Sequence, residues 1–313
     1  IWRLNPFGYR LTNLLLHVLC CYLIFWIAMR FFRSLPFAFL SSLFFCVNPV
    51  QTESVSYIAG RSELLVSFFT LLTAVFYIKH IDSRKGVFYF LSLLSFVLAF
   101  LSREAGFLIL MPFLILGYGI KIRLKKDSLA MHFVSFLGLL LIYIVLRITV
   151  LQPIRSVPKS PFTFSSDIVN FLNVLIAYIG LFVFPVDLHV LRNIRPVVGF
   201  GFIKVLPSLF FVLCSSLFLW YTAVKKHYPA LFGALWYFII SSYLIKSMYK
   251  FSGFVVTMEE HWIYLASAGF FMILAYFILR LKERAAVVIS ALLIFSWSLI
   301  SMSANTHWRN ELD

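Results

Sequence analysis

Long apolar runs separated by short polar knots set the rhythm of this chain. A helix that crosses a bilayer needs about 20 residues. Ten runs approach that pattern, at roughly 11–29, 35–50, 64–80, 86–102, 105–120, 129–151, 203–224, 229–247, 263–281 and 285–304. Two of them, 35–50 and 105–120, are short for a span. An eleventh run, "IVNFLNVLIAYIGLFVFPVDL" at 168–188, is long enough but carries Pro185 and Asp187 near its end. The pattern predicts an all-α, polytopic helical membrane protein.

Basic residues orient the runs, because short cytoplasmic loops collect Lys and Arg. Clusters stand at Arg30/Arg33, Lys79/Arg84/Lys85, Lys121/Arg123/Lys125/Lys126, Lys225/Lys226 and Arg280/Lys282/Arg284. These fill every second connection if ten runs cross and 168–188 does not. A crossing at 168–188 would put the last two clusters opposite the first three. The expectation is therefore about ten spans plus one re-entrant or interfacial helix. The remaining connections then share the non-cytoplasmic side, with most of the acids: Glu53, Glu63, Glu104, Asp167, Asp187, Glu259 and Glu260.

Composition supports lipid as the solvent. Hydrophobic residues make up 62% of the 313 positions and charged residues 12%, more apolar side chain than a soluble domain of this size can hide. The net charge of +15 fits positive cytoplasmic loops, and no nucleic-acid motif accompanies it. Cys20, Cys21, Cys46 and Cys214 lie inside apolar runs, which favours neither a disulfide framework nor a metal site. The opening "IWRLNPFGYRLTN" lacks the form of a signal peptide and starts without Met. The chain therefore reads as a fragment with sequence missing at both ends.

The polar knots carry the chemistry. As one helix, "TESVSYIAGRSELL" would set Glu53, Tyr57 and Arg61 on one stripe and Ser56, Gly60 and Glu63 on the next. The guanidinium fork suits phosphate, whereas the plain alternative is an interfacial helix whose charges face water. "FLSREAGF" places Arg103 and Glu104 between two runs with almost no loop, where two snorkelling charges are the plain alternative. "TMEEHWIYLASAGF" adds Glu259, Glu260 and His261 ahead of Trp262 and Tyr264, aromatics that also fit an interfacial belt. His17 and His132 are expected to hydrogen-bond between helices. No Walker loop, GxGxxG, HExxH or paired CxxC is present. Cations that hold a phosphate and a carboxylate that takes a proton suit transfer from a lipid-linked phosphate. The same inventory suits an anion or proton-coupled transporter.

Four ordered blocks, "LNPFGYRLTNLLLH", "NPVQTESVSYIAGRSELL", "LAFLSREAGFLILMPFLIL" and "EEHWIYLASAGF", resemble the transmembrane and tetratricopeptide-repeat (TMTC-like) protein O-mannosyltransferases. That family groups with the GT-C class of multispanning glycosyltransferases. The resemblance implies an active site on the non-cytoplasmic side, a polyprenyl-phosphate sugar donor, and tetratricopeptide repeats after the last span. Residues 1–304 would form the membrane domain and 305–313 the lead-in to the repeats. The family's "HPxHTE" stands here as "NPVQTE", keeping Glu53 but placing Asn48 and Gln51 at the His positions. Gly60, Arg61 and Glu63 match its next block, and Arg103 and Glu104 its "SK/RE" pair. Its "ERYLYLPS" stands as "EHWIYLAS", keeping Glu260, Tyr264 and Ser267 but replacing Arg by His261 and Pro by Ala266. The charge of that His is conditional on pH.

By that resemblance, Glu53 and Glu63 are the candidate catalytic acids, with the main acid expected in a loop ahead of Ile1. Arg61, Arg103 and His261 are candidates for the donor phosphate, with Glu104, Glu260 and Tyr57 in support. Glu63 is also placed to hold a cation. The implied reaction moves a hexose such as mannose from the carrier to a hydroxyl, on protein Ser/Thr or on a glycan. The implied partners are the lipid-linked donor, the acceptor and membrane lipid, without nucleic acid. No cofactor follows, and the need for a divalent metal stays open. The membrane is a bacterial plasma membrane or the endoplasmic reticulum. The rival readings are a flippase or transporter of a lipid-linked or anionic solute, and a non-catalytic anchor for the repeats.

Overall fold

Helix α1 (Pro6–Phe32) buries Asn13, His17, Cys20, Ile24, Ile27 and Phe31, a helical stripe three to four residues apart. The opposite stripe, with Leu14, Leu15, Val18 and Tyr22, is exposed and apolar, as a lipid-facing surface is. The computed structural model describes residues 6–103, 126–150, 164–186, 188–197, 202–248 and 255–308. The 105–120 run, the Lys121–Lys125 part of its basic cluster and Glu104 lie outside the described residues.

After α1 come α2 (Leu35–Val47), α3 (Gln51–Ser56), a 3-10 turn at Ile58–Gly60, α4 (Arg61–Ser83) and α5 (Gly86–Ser102). Next are α6 (Lys126–Thr149), α7 (Phe164–Val183), strand β1 (Arg192–Ile194), α8 (Phe202–Val224), α9 (Tyr228–Ser241) and α10 (Leu244–Ser247). Strand β2 (Val256–Met258), a 3-10 turn at Glu260–Ile263, α11 (Tyr264–Ile278), α12 (Glu283–Ala304) and a last 3-10 turn at Asn305–Trp308 complete the described chain. The fold is that of a polytopic helical membrane protein. Among the described residues, six helices are long and apolar enough to cross a membrane: Pro6–Phe32, Ile58–Ser83, Phe164–Val183, Lys204–Val224, Glu260–Ile278 and Glu283–Ala304. Shorter apolar helices cover Leu35–Val47, Gly86–Ser102, Val134–Arg147 and Tyr228–Ser241.

The four described basic turns gather at one end of the bundle. Arg30 pairs with Asp82 at 2.6 Å, joining the α1–α2 turn to the α4–α5 turn. The Phe31 and Phe232 rings meet at a tilt with centroids 4.9 Å apart, bringing in the start of α9. The Tyr276 hydroxyl and His227 Nδ1 lie 2.9 Å apart, adding the α11–α12 turn. Arg33, Arg84 and Lys226 each end a helix with a positive φ, of 53°, 56° and 57°. A cation there complements the helix C-terminus, where glycine is the commoner choice.

α1 and α2 leave the same turn but differ in length. At 1.5 Å per residue, the 27 residues of α1 reach about 40 Å and the 13 of α2 about 20 Å. α2 therefore stops halfway along α1, where His17 Nε2 lies 3.1 Å from the Cys46 carbonyl. The polar knot that follows is thus drawn inside the bundle. Its flanks are sealed by Phe45 on Tyr264 (5.0 Å) and by Trp297 between Phe44 and Phe271 (5.8 and 5.7 Å).

α9 and α11 cross through two glycines. A Cβ at Gly233 would meet the Gly269 carbonyl oxygen at 2.5 Å, so only bare backbone permits this approach. Trp236 Nε1 donates to the Leu265 carbonyl at 2.8 Å across the same crossing.

The 168–188 region forms a continuous helix of 20 residues, α7, with Pro185 beyond its end. Its length suffices for a crossing, yet the chain leaving it returns to the same corner. Tyr178 donates to the Glu259 carbonyl at 2.7 Å, and the His189 N–H donates to Glu260 Oε1 at 2.9 Å. Farther on, the Val197 N–H reaches Asn170 Oδ1 at 2.8 Å. β1 then pairs antiparallel with β2, Asn193 opposite Thr257.

Candidate functional site

The expected single helix through "TESVSYIAGRSELL" breaks in two. α3 ends at Ser56, Tyr57 is extended at φ −72°, ψ 122°, and α4 starts afresh at Arg61. Gly60 lets the chain double back, since a Cβ there would lie 2.5 Å from the Ser54 carbonyl oxygen. Asn13 of α1 stabilises the break by donating to the carbonyls of Val55 (3.2 Å) and Tyr57 (3.1 Å). Glu53, Tyr57 and Arg61 consequently do not share a stripe, nor do Ser56, Gly60 and Glu63.

Glu53 turns inward to His261. Its carboxylate accepts the His261 backbone N–H at 2.9 Å and faces ring Nδ1 at 2.7 Å. On the far side of the ring, Nε2 lies 3.1 Å from Glu259 Oε2. Both ring nitrogens can donate at once only as imidazolium, and two carboxylates supply the acceptors. The assembly is a buried acid–imidazole–acid row, with side-chain exposures of 2%, 11% and 7% for Glu53, His261 and Glu259. His261, expected to meet a donor phosphate, thus has both ring nitrogens turned toward carboxylates. Sequence reasoning left Glu259 out of the site, although its place beside Glu260 was the available signal.

Arg61 goes the other way. Its Nε lies 3.4 Å from Asn13 Oδ1, its Nη2 3.5 Å from the Tyr9 carbonyl, and its guanidinium carbon sits 4.9 Å above the Tyr9 ring. Among the described residues it faces no carboxylate. It is also the first residue of α4, which runs on from the 3-10 turn at Ile58–Gly60.

Arg103, in extended conformation at the end of α5, forms an ion pair and hydrogen bond with Glu63. Glu63 is fully buried, and its second oxygen, Oε1, has no hydrogen-bond partner among the described residues. Glu63 therefore holds a cation. Arg103 keeps a quarter of its side chain exposed. Glu260 is spent on the His189 backbone, and Tyr57 is exposed with its carbonyl held by Asn13.

The amides of Asn48 and Gln51 tie elements together. Asn48 donates to the Phe182 carbonyl (3.2 Å) and accepts the Val50 N–H (3.2 Å). Gln51 donates to Ser267 Oγ at 2.8 Å, which in turn donates to the Tyr264 carbonyl at 2.6 Å. His17 and His132 bond between helices as expected, to Tyr264 and Tyr77 at 2.7 and 3.3 Å. Cys21 and Cys46 converge on His17, with donor atoms within 4.8 Å of one another.

The described charges thus segregate, with basic turns at one end and an acid–imidazole–acid row with two guanidiniums toward the other, inside a bundle of apolar helices. The chain is similar to protein O-mannosyl-transferases of the TMTC group. It shares 38% identity with TMTC2 of Mus musculus over 88 residues, 27% of this chain and 10% of that protein. It shares 28% with Tmtc1 of Drosophila melanogaster over 103 residues, 33% of this chain and 12% of that protein. With F38B6.6 of Caenorhabditis elegans it shares 29% over 105 residues, 33% of this chain and 14% of that protein. The matched stretch is thus about a tenth of each relative's length. No protein-family model matches the chain, and no solved structure matches it significantly.

Proposed function

We propose that this chain forms the membrane part of a GT-C-like glycosyltransferase that moves a hexose, mannose foremost, from a polyprenyl-phosphate carrier to a protein Ser/Thr hydroxyl. The observation that carries the reading is the division of labour among the cations. Arg61, at the start of α4, faces no carboxylate among the described residues and makes only long polar contacts, which leaves its fork able to grip a phosphate. Arg103 is aimed by Glu63 and retains exposed donors. Glu53 and Glu259 engage both ring nitrogens of His261, which leaves the phosphate to the two guanidiniums. The similarity to proteins named O-mannosyl-transferases supplies the sugar and the acceptor class.

The acidic end is the non-cytoplasmic face in this reading, because the basic turns gather at the opposite end. α7 is then re-entrant: it dips into the bundle, and the chain leaving it passes Glu260 and comes back beside Asn170 near the helix's start. A hydrophobic bundle suits the task, since a polyprenyl carrier keeps its tail in lipid and its phosphate at the surface. The test is transfer of labelled mannose from polyprenyl-phosphate mannose to a Ser/Thr peptide by the purified full-length protein. Turnover lost in Arg61→Ala supports the reading, and undiminished turnover in that variant removes Arg61 from the mechanism.

A further inference from the structure

Directly beneath the Glu53–His261 row lies a second polar group that the proposed transfer does not use. His17 and Cys21 occupy positions i and i+4 on α1, hence one face of that helix, and Cys46 faces them from the last turn of α2. The His17 Nε2–Cys21 Sγ distance is 3.8 Å, and all three donor atoms lie within 4.8 Å of one another. We propose that His17, Cys21 and Cys46 form a binding site for one zinc ion.

The geometry suits that metal. Zinc with Zn–S of about 2.3 Å and Zn–N of about 2.0 Å makes a tetrahedron with edges of roughly 3.5 Å. The His17–Cys21 edge is already close to this, and the longest edge has about 1 Å to contract. In the metal-free site Nε2 donates to the Cys46 carbonyl at 3.1 Å and Nδ1 accepts from the Tyr264 hydroxyl at 2.7 Å. Zinc would exchange these roles, Nε2 turning its lone pair to the metal and Nδ1 donating its proton to Tyr264.

Charge selects the ion. The site lies in the apolar core, beside Phe45 and Tyr264, where an uncompensated charge is costly. A divalent cation with two thiolates and a neutral imidazole sums to zero, whereas monovalent copper would leave a net negative charge. Binding replaces two S–H bonds by two Zn–S bonds and releases two protons to solvent, without any change of oxidation state. Three protein donors leave the fourth tetrahedral position to a small neutral ligand. Cys46 is half-buried.

The consequence is mechanical. Zinc would tie α1 and α2 together and, through Tyr264, pin the first turn of α11, three residues after His261. It would thus stiffen the floor under the acid–imidazole–acid row.

The test titrates Co²⁺ into the full-length protein, reduced and held in lipid nanodiscs, with cobalt as a spectroscopic substitute for zinc. One equivalent should produce thiolate-to-cobalt charge transfer and tetrahedral ligand-field bands, both abolished by added Zn²⁺. Cys46→Ser should weaken binding at least tenfold and Tyr264→Phe less, while Cys214→Ser, on an exposed face of α8, should change nothing. Zn²⁺ should also raise the melting temperature of the wild type but not of Cys46→Ser, whose own cooperative melt without metal shows that the variant is folded. The proposal is overturned if the reduced wild type gives no such bands, if they survive in Cys46→Ser, or if only a Cys21–Cys46 disulfide forms.

Discussion

Glu53 holds His261 at two points across 208 residues of sequence, through the backbone N–H at 2.9 Å and ring Nδ1 at 2.7 Å. The pair joins α3 to the turn that starts α11, two elements from opposite ends of the chain. Glu53→Ala would strip two donors of their acceptor in a buried place. Hydrogen bonds to charged groups are worth about 1.5–3 kcal/mol each, so the variant should melt several degrees lower. Glu53→Gln keeps one acceptor oxygen and should lose less. Thermal unfolding of both variants in nanodiscs checks the order; equal loss in the two would contradict it.

Arg103 and Glu63 make a different kind of pair, because Glu63 is fully buried while Arg103 is partly open to solvent. Removing one partner of a buried pair costs about 3–5 kcal/mol, since the other charge is stranded. Arg103→Leu should therefore be strongly destabilised. The double variant Arg103→Leu/Glu63→Leu should recover most of that stability while remaining inactive in mannosyl transfer. Denaturation and turnover measured side by side separate structural from chemical loss.

The α9–α11 crossing tolerates no side chain. A Cβ at Gly269 would lie 2.7 Å from the Tyr237 nitrogen and 3.0 Å from Trp236 Cδ1. Gly269→Leu should overpack the crossing, at a cost of 1–3 kcal/mol or more by analogy with about that range in other cores. Gly180 in α7 is the contrast, with nothing within 4 Å of its added Cβ. Gly180→Ala should be neutral or stabilising by up to about 1 kcal/mol, from helix propensity alone. Melting temperatures of the two variants give the comparison.

Arg61 should prove nearly dispensable for folding. Its contacts to Asn13 and Tyr9 are long, at 3.4 and 3.5 Å, and its cation–π contact is worth about 0.5–1 kcal/mol where exposed. Arg61→Ala should therefore melt within a few degrees of wild type yet lose transfer. Arg61→Lys, which keeps the charge but not the fork, should fall between the two in donor affinity.

Much of the fold is legible in the sequence because lipid imposes a coarse code. Apolar runs of helical length foretell the helices of the bundle, and the contacts of Arg30 with Asp82 and of His227 with Tyr276 join the basic turns two by two. The break at Tyr57 was hidden. It depends on Asn13, more than forty residues away, offering donors to two carbonyls, and on Gly60 touching Ser54. Local spacing cannot register a partner on another helix.

The same limit governs the site. Glu53, Arg61, Glu63, Arg103 and His261 were identifiable as charges out of place in a lipid-facing chain, and their pairing was not. Nothing in "TMEEHW" foretells that Glu259 takes the second face of His261. The His17–Cys21 spacing was readable on one helix face. That α2 is only 13 residues long, which sets Cys46 level with His17, emerges only once the helices are seen side by side.

Binding of polyprenyl monophosphate to the full-length protein in nanodiscs of zwitterionic lipid probes the grip on a lipid-borne phosphate without depending on sugar, acceptor or turnover. The account predicts at least tenfold weaker binding by Arg61→Ala and unchanged binding by Arg33→Ala, whose cation belongs to the basic turns at the other end. Equal affinity in Arg61→Ala and wild type, or a loss confined to Arg33→Ala, would contradict it.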